Sequence, residues 1–161
     1  MMKVQELMSV PAVSCKEEDS LDRAARMLRD RDCGAIPVVD SNDSIIGVIT
    51  DRDICMAAHT TGRLLADISV AEITSGNVFS VDSSDTVQHA EKVMREHQVR
   101  RLPVVDHSDR IIGMLSLNDI ARAGQREAAQ TARSRRLSSD EILQTLAAIG
   151  EPRAGRAKVS A

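Results

Sequence analysis

Hydrophobic positions along this chain fall into short runs of two periods, and the same order of runs occurs twice. Ala12 to Cys15 and Val78 to Val81 are short polar-apolar stretches that read as strands. Asp19-Ser20 and Asp85-Thr86 follow, with side-chain oxygens suited to the N-terminus of a helix. Behind them apolar residues recur at helical spacing: Leu21, Ala24, Ala25 and Leu28 in the first copy, Val87, Ala90, Val93 and Met94 in the second. Next come Ile36-Pro37-Val38-Val39-Asp40 and Leu102-Pro103-Val104-Val105-Asp106, β-branched runs with proline at the entry, where a strand tolerates the missing N–H. Polar turns over Ser41 to Ser44 and His107 to Arg110 lead into Ile45 to Ile49 and Ile111 to Leu115, which complete hairpins. Thr50 and Ser116 then cap second helices that begin at Asp51 and Leu117. The order is strand, helix, strand, strand, helix, twice.

A shift of 66 positions lays Val4 to Ile54 on Val70 to Ile120 without a gap, with 17 identities in 51 positions. They include Pro37 with Pro103, Asp40 with Asp106, Gly47 with Gly113 and Asp53 with Asp119, where geometry is demanding. A unit of about fifty residues buries too little surface to be secure alone. The two copies are therefore expected to pack face to face around one shared core, as a pseudo-twofold α/β (α+β) pair. The expected organisation is repeat 1 over 4–60, a linker over 61–69, repeat 2 over 70–124, a helical extension over 125–150 and a disordered tail over 151–161. In the extension, Arg122, Arg126, Arg133, Arg135 and Arg136 scatter through a polar stretch. Ser138 with Glu141 then reads as a capping box, Ile142, Leu143, Leu146 and Ile149 as one apolar face, and Gly150 with Pro152 as the stop.

Composition narrows the function. With 42% hydrophobic and 28% charged residues the chain is of globular type, and no apolar run is long enough to span a membrane. A net charge of -3 opposes nucleic-acid binding through a broad basic surface. Phe79 is the only residue of the Phe, Tyr and Trp class, too few rings for a base-stacking platform for single strands, so any bound base is expected between aliphatic side chains and backbone. Cys15, Cys33 and Cys55 lack framework spacing, which suggests reduced thiols and a cytoplasmic protein. Cys15 and Cys33 match Val81 and Val99 and read as small core residues. His59, His89, His97 and His107 show no metal-ligand spacing, and no P-loop, nucleophile elbow or catalytic carboxylate pair is visible.

The chemistry concentrates in Gly47-Val48-Ile49-Thr50-Asp51-Arg52-Asp53 and Gly113-Met114-Leu115-Ser116-Leu117-Asn118-Asp119. Each sets a hydroxyl at a strand-to-helix junction and a carboxylate three residues on. Free backbone N–H groups and the positive end of the helix dipole suit a phosphate there, and the carboxylate suits the vicinal hydroxyls of a ribose. Taken singly, either motif reads first as a plain helix cap with no ligand. Their recurrence at matched positions favours a site.

These h-Pro-Val-Val-Asp strands and Gly-h-h-Thr/Ser-x-x-Asp junctions, in register, closely resemble the CBS (cystathionine-β-synthase) domain pair, also called a Bateman module. The overall build is similar to that of small stand-alone bacterial CBS-pair proteins. The resemblance implies two pseudo-symmetric sites for adenosine-containing ligands, with Thr50 and Asp53, and Ser116 and Asp119, as ribose-binding groups. It implies a first site joining Val48, Thr50 and Asp53 to Val78, Arg100, Arg101 and Pro103. The second joins Met114, Ser116 and Asp119 to Ala12, Val13, Ala35 and Pro37. Arg100 and Arg101 can fork a phosphate where Gly34 and Ala35 cannot, so the first site is expected to prefer a phosphorylated nucleotide. AMP, ADP or ATP is the expected ligand, ahead of NAD or S-adenosylmethionine, with no cofactor required and no catalysis. The resemblance also implies a homodimer through the helices, with Leu21 to Leu28, Ile54, Ala57 and Ala58 on the shared face, and an unknown regulated partner.

Overall fold

The computed structural model describes residues 1–74, 76–129 and 138–150. The expectations placed on Arg133, Arg135, Arg136, Pro152 and the tail over 151–161 lie outside the described residues.

Each repeat builds a three-stranded sheet with a helix between its first two strands. In repeat 1, β1 (Cys15–Lys16) runs parallel to β2 (Ala35–Val39), and β3 (Ile45–Thr50) pairs antiparallel with β2. Repeat 2 copies this with β4 (Val81–Asp82), β5 (Arg101–Val105) and β6 (Ile111–Ser116). Helix α1 (Leu21–Asp30) starts where the Ser20 hydroxyl accepts the Arg23 N–H at 3.3 Å. The second copy also has this cap, Thr86 accepting from the His89 N–H at 3.1 Å at the head of α4 (Val87–His97). Leu21, Ala24, Val87, Ala90 and Met94 are fully buried, as helical spacing predicts.

The identical aspartates of the hairpins are turn staples. One oxygen of Asp40 accepts the N–H groups of Asn42 and Ser44, and Asp106 does the same for Ser108 and Arg110. Asp43 and Asp109 take positive φ, 61° and 58°, a conformation aspartate tolerates better than most side chains.

The expected first strands are shorter and displaced, with only Cys15 and Val81 of each run in a ladder. The chain ahead of Cys15 is drawn to the other repeat instead. Ser9 donates its N–H to the Met114 carbonyl at 2.8 Å and accepts the Met114 N–H at 3.1 Å.

That crossing is general. The lead-in of repeat 1 lies on repeat 2, where Val4 donates to the Asp85 carbonyl at 2.9 Å and Val87 to that of Met2 at 3.0 Å. The lead-in of repeat 2, ending in α3 (Val70–Ile73), lies on repeat 1, where Val70 donates to Asp19 at 2.8 Å and Leu21 to Ile68 at 2.9 Å. The single shared core expected from the sequence is therefore two clusters. Met2 and Val4 complete the one under repeat 2, and Ile68 and Val70 complete the one under repeat 1. Neither repeat closes its core without the other's lead-in.

Helices α2 (Asp51–Thr61) and α5 (Leu117–Ala129) begin directly at the ends of β3 and β6. Helix α6 (Ser139–Gly150) starts with the Ser138 hydroxyl accepting the Glu141 N–H at 3.4 Å and packs on α4 and α5. Its apolar residues divide between two faces, contrary to the sequence expectation. Ile142 and Ile149 pack on the core with fully buried Thr145 between them, whereas Leu143 and Leu146 remain 61% and 54% exposed. The Thr145 hydroxyl fixes this rotation. It accepts from Arg95 of α4 at 2.9 Å and donates to the Glu141 carbonyl at 2.8 Å, so the buried face carries a satisfied polar group. No helix among the described residues is long and apolar enough to cross a membrane.

Candidate functional site

Both junctions form full capping boxes. The Thr50 N–H and hydroxyl donate to one Asp53 oxygen at 2.9 and 2.6 Å, and the Asp53 N–H donates back to the Thr50 hydroxyl at 3.2 Å. Ser116 and Asp119 repeat the pattern, with the N–H donation at 2.9 Å and the return at 3.2 Å. The β-strand therefore delivers a rigid hydroxyl–carboxylate pair to the first turn of each helix. In each pair these contacts use one carboxylate oxygen.

The close approach of the lead-ins explains the glycine before each junction. A Cβ on Gly47 would run into Thr74 Cγ2, and one on Gly113 would sit 2.9 Å from Met8 Sδ and 3.0 Å from the Ser9 carbonyl oxygen. Each glycine lets the other repeat's lead-in lie across the strand. This carries the chain that continues to Ala12 and Val13 over β6, and the chain that continues to Val78 over β3.

The pre-proline residues behave differently. Hairpin register sets Ala35 opposite Thr50 and Pro37 opposite Val48, with Arg101 opposite Ser116 and Pro103 opposite Met114. Their backbones thus stand beside the junction of their own repeat. The side chain of Arg101 makes a crossing: its guanidinium lies 3.4 Å from where a Cβ of Gly34 would stand, and Asp51 Oδ2 is 3.5 Å from the same point. Arg101 thereby reaches the repeat that carries Thr50 and Asp53. Gly34 leaves the guanidinium at ordinary contact distance from where a Cβ would stand. Arg100 is exposed and its carbonyl accepts the Leu117 N–H at 2.9 Å. Val48, Val78, Ala12, Val13 and Met114 are half-buried, and Ala35, Pro37 and Pro103 are buried.

The two carboxylates differ. Asp119 is half-buried, and its second oxygen takes a salt bridge from Arg122 at 2.9 Å. Asp53 is exposed, and among the described residues it has no ion pair; the position matching Arg122 is Met56. Sequence reasoning passed over Arg122 as one of several scattered arginines, although its i, i+3 spacing from Asp119 was the available signal.

Two further titratable groups are perturbed by burial. Burial, then Asp19, pushes the Cys15 thiol up to about 11, which fits its place in the core. Burial, then Glu141, pushes Glu91 up to about 7, with Arg95 opposing. Glu91 is 1% exposed under α6 and one of its oxygens has no hydrogen-bond partner. Among the described residues no three His, Cys, Asp or Glu side chains stand together to hold a metal.

The family model for the CBS domain matches residues 4–60 and again 70–126. Hypoxic response protein 1 of Mycobacterium tuberculosis is 32% identical over 122 residues, covering 76% of this chain and 85% of that protein. A crystal structure of Hypoxic Response Protein I with two coordinated zinc ions superposes with a TM-score of 0.69 at 31% identity, over 75% of this chain and 98% of that one. The CBS domain-containing protein YhcV of Bacillus subtilis is 31% identical over 75% of this chain and 84% of its own length. The CBS domain pair of MJ0100, solved with 5-methylthioadenosine and S-adenosyl-L-methionine, gives a TM-score of 0.68 at 26% identity, over 76% of this chain and 98% of that one.

Proposed function

Because the chain belongs to the CBS domain family and carries two copies of that domain, we propose that it is a ligand-sensing module that binds an adenine nucleotide and signals occupancy to a partner protein. Proteins built on this domain pair are generally regulatory rather than catalytic, and this chain acts without catalysis of its own. The observation that carries the reading is the duplicated junction, a rigid hydroxyl–carboxylate pair at a helix N-terminus within reach of the other repeat. The adenosyl ligands of the MJ0100 pair support the ligand class.

The first site, at Thr50 and Asp53, takes the phosphorylated ligand. Arg101 reaches that repeat, and Asp53 keeps an oxygen for ribose hydroxyls. The second, at Ser116 and Asp119, binds more weakly, because Arg122 already holds the remaining carboxylate oxygen and Gly34 and Ala35 supply no cation. AMP, ADP or ATP is the ligand in this reading, with NAD and S-adenosylmethionine behind them. The module works in the cytoplasm as a homodimer.

One observation favours a second reading, a structural or interaction protein with vestigial sites: both hydroxyl–carboxylate pairs are already complete helix caps. Equilibrium dialysis with labelled AMP, ATP and S-adenosylmethionine separates the two. The sensor reading expects saturable binding of a phosphorylated nucleotide that Asp53→Ala removes; retention of none of the three overturns it.

A further inference from the structure

Helix α6 closes over a carboxyl group whose Oε1 has nothing to pair with. Its seat is made by Arg95, whose guanidinium donates to the Thr145 hydroxyl at 2.9 Å, and by Gln98, whose Nε2 donates to the Ala148 carbonyl at 3.2 Å. Gly124 of α5 completes it, where a Cβ would stand 2.7 Å from Ile142 Cδ1. Within this seat Glu91 of α4 is buried, and its Oε1 has no hydrogen-bond partner. Such a place is costly for a carboxylate and far less so for the protonated acid.

Repeat 1 carries the same surface uncovered. Helix α6 packs on α4 and α5, and among the described residues it has no counterpart on α1 and α2. The 66-residue shift maps Glu91, Arg95 and Gln98 onto Ala25, Arg29 and Asp32. Ala25 is half-buried and Arg29 and Asp32 are exposed, whereas Glu91 is buried and Arg95 and Gln98 are half-buried. The extra burial in repeat 2 comes with α6, so the docking of that helix and the charge of Glu91 are linked.

We propose that α6 is a detachable cap over the α4–α5 face, docked while Glu91 is protonated and loosened as Glu91 ionises. Among the described residues, the charged groups that act on Glu91 are Glu141 from α6 and Arg95 from α4. Burial, then Glu141, lifts the acid to about 7 from 4.5, with Arg95 opposing. Docking is therefore strongest below the lower value and weakens as pH rises toward the upper one. Arg95 is the moving part. It stands one turn after Glu91, at the i, i+4 spacing where opposite charges meet on a helix, yet its guanidinium is held by Thr145. An ionised Glu91 competes for that guanidinium, and fully buried Thr145 loses its donor. Loosening α6 admits water to the carboxylate and uncovers on repeat 2 the helix-pair face that repeat 1 leaves open within the chain.

Hydrogen exchange of the full chain, read by mass spectrometry from about pH 5 to 8 and corrected for intrinsic exchange chemistry, tests this. Protection of α6 (Ser139–Gly150) should fall on the order of 100-fold across that range, while α1 keeps its own. Glu91→Gln, which fills the same space and cannot ionise, should keep α6 protected throughout. Measured without nucleotide, the result is independent of the proposed function. Unchanged protection of wild-type α6, an equal fall in Glu91→Gln, or a fall shared by α1 would overturn the cap.

Discussion

Arg122 holds the second carboxylate oxygen of Asp119 at 2.9 Å, while the matching position beside Asp53 is occupied by Met56. Two junctions that share a motif therefore present different surfaces to a ribose. One nucleotide per chain is the expected stoichiometry by titration calorimetry. Arg122→Met should free Asp119 and raise the stoichiometry toward two; an unchanged value contradicts the account of the second site.

The crossing of Arg101 to the repeat that holds Asp53 predicts a phosphate-dependent loss. Arg101→Ala should weaken AMP or ATP by roughly 10-fold, the scale of a partly solvated charge-assisted hydrogen bond. Adenosine, lacking the phosphate, should bind almost unchanged. Equal losses for nucleotide and nucleoside would remove Arg101 from the phosphate position.

Glu91 gives the chain a pH dependence of definite sign. Its folded value is raised to about 7 from 4.5, first by burial and then by Glu141. Between these two values the unfolded chain has lost the proton and the folded chain keeps it, so stability falls as pH rises through that window. Above it the penalty is complete, on the order of 3 kcal/mol for a shift of this size. Arg95 alone opposes the shift. Glu91→Gln should flatten the decline and be more stable than wild type at pH 8, measured by urea unfolding from pH 4.5 to 8. A parallel decline in both proteins excludes Glu91 as its origin.

Gly47 is held to glycine by Thr74 Cγ2 of the crossing lead-in rather than by backbone conformation. Gly47→Ala should cost about 1–3 kcal/mol, as overpacking does. Adding Thr74→Ser, which removes the obstructing methyl and keeps the hydroxyl that donates to the Val70 carbonyl at 2.8 Å, should restore most of it. Failure of the rescue in thermal unfolding would place the strain elsewhere.

What was legible in the sequence was mostly local. Ser20, Thr86, Thr50 and Ser116 act as the caps their chemistry predicts, and the Asp40 and Asp106 turns follow from side chain reaching backbone within four residues. The exchange of lead-ins was not legible, because Val4 and Val70 look alike in composition and nothing near them says which repeat's core they complete. The rotation of α6 was ambiguous for a related reason. Ile142 and Leu143, then Leu146 and Ile149, offer two apolar faces, and the distant Arg95 decides between them by meeting Thr145. At the candidate site the hydroxyl–carboxylate pairs were readable from spacing. The reach of Arg101 toward Gly34 and the hold of Arg122 on Asp119 needed side-chain geometry.

The central claim is that the Thr50–Asp53 junction binds an adenine nucleotide, and thermal unfolding with and without AMP or ATP tests it most directly. Circular dichroism or calorimetry is the readout, since the chain has no Trp or Tyr. At about 100 times the dissociation constant a ligand adds about 2.7 kcal/mol, which raises the midpoint of a chain this size by roughly 5 to 10 °C. The account predicts that rise for wild type and its loss in Asp53→Ala. No rise with any adenosyl ligand, from protein shown to be free of bound nucleotide, would contradict it and leave Thr50 and Asp53 as a helix cap.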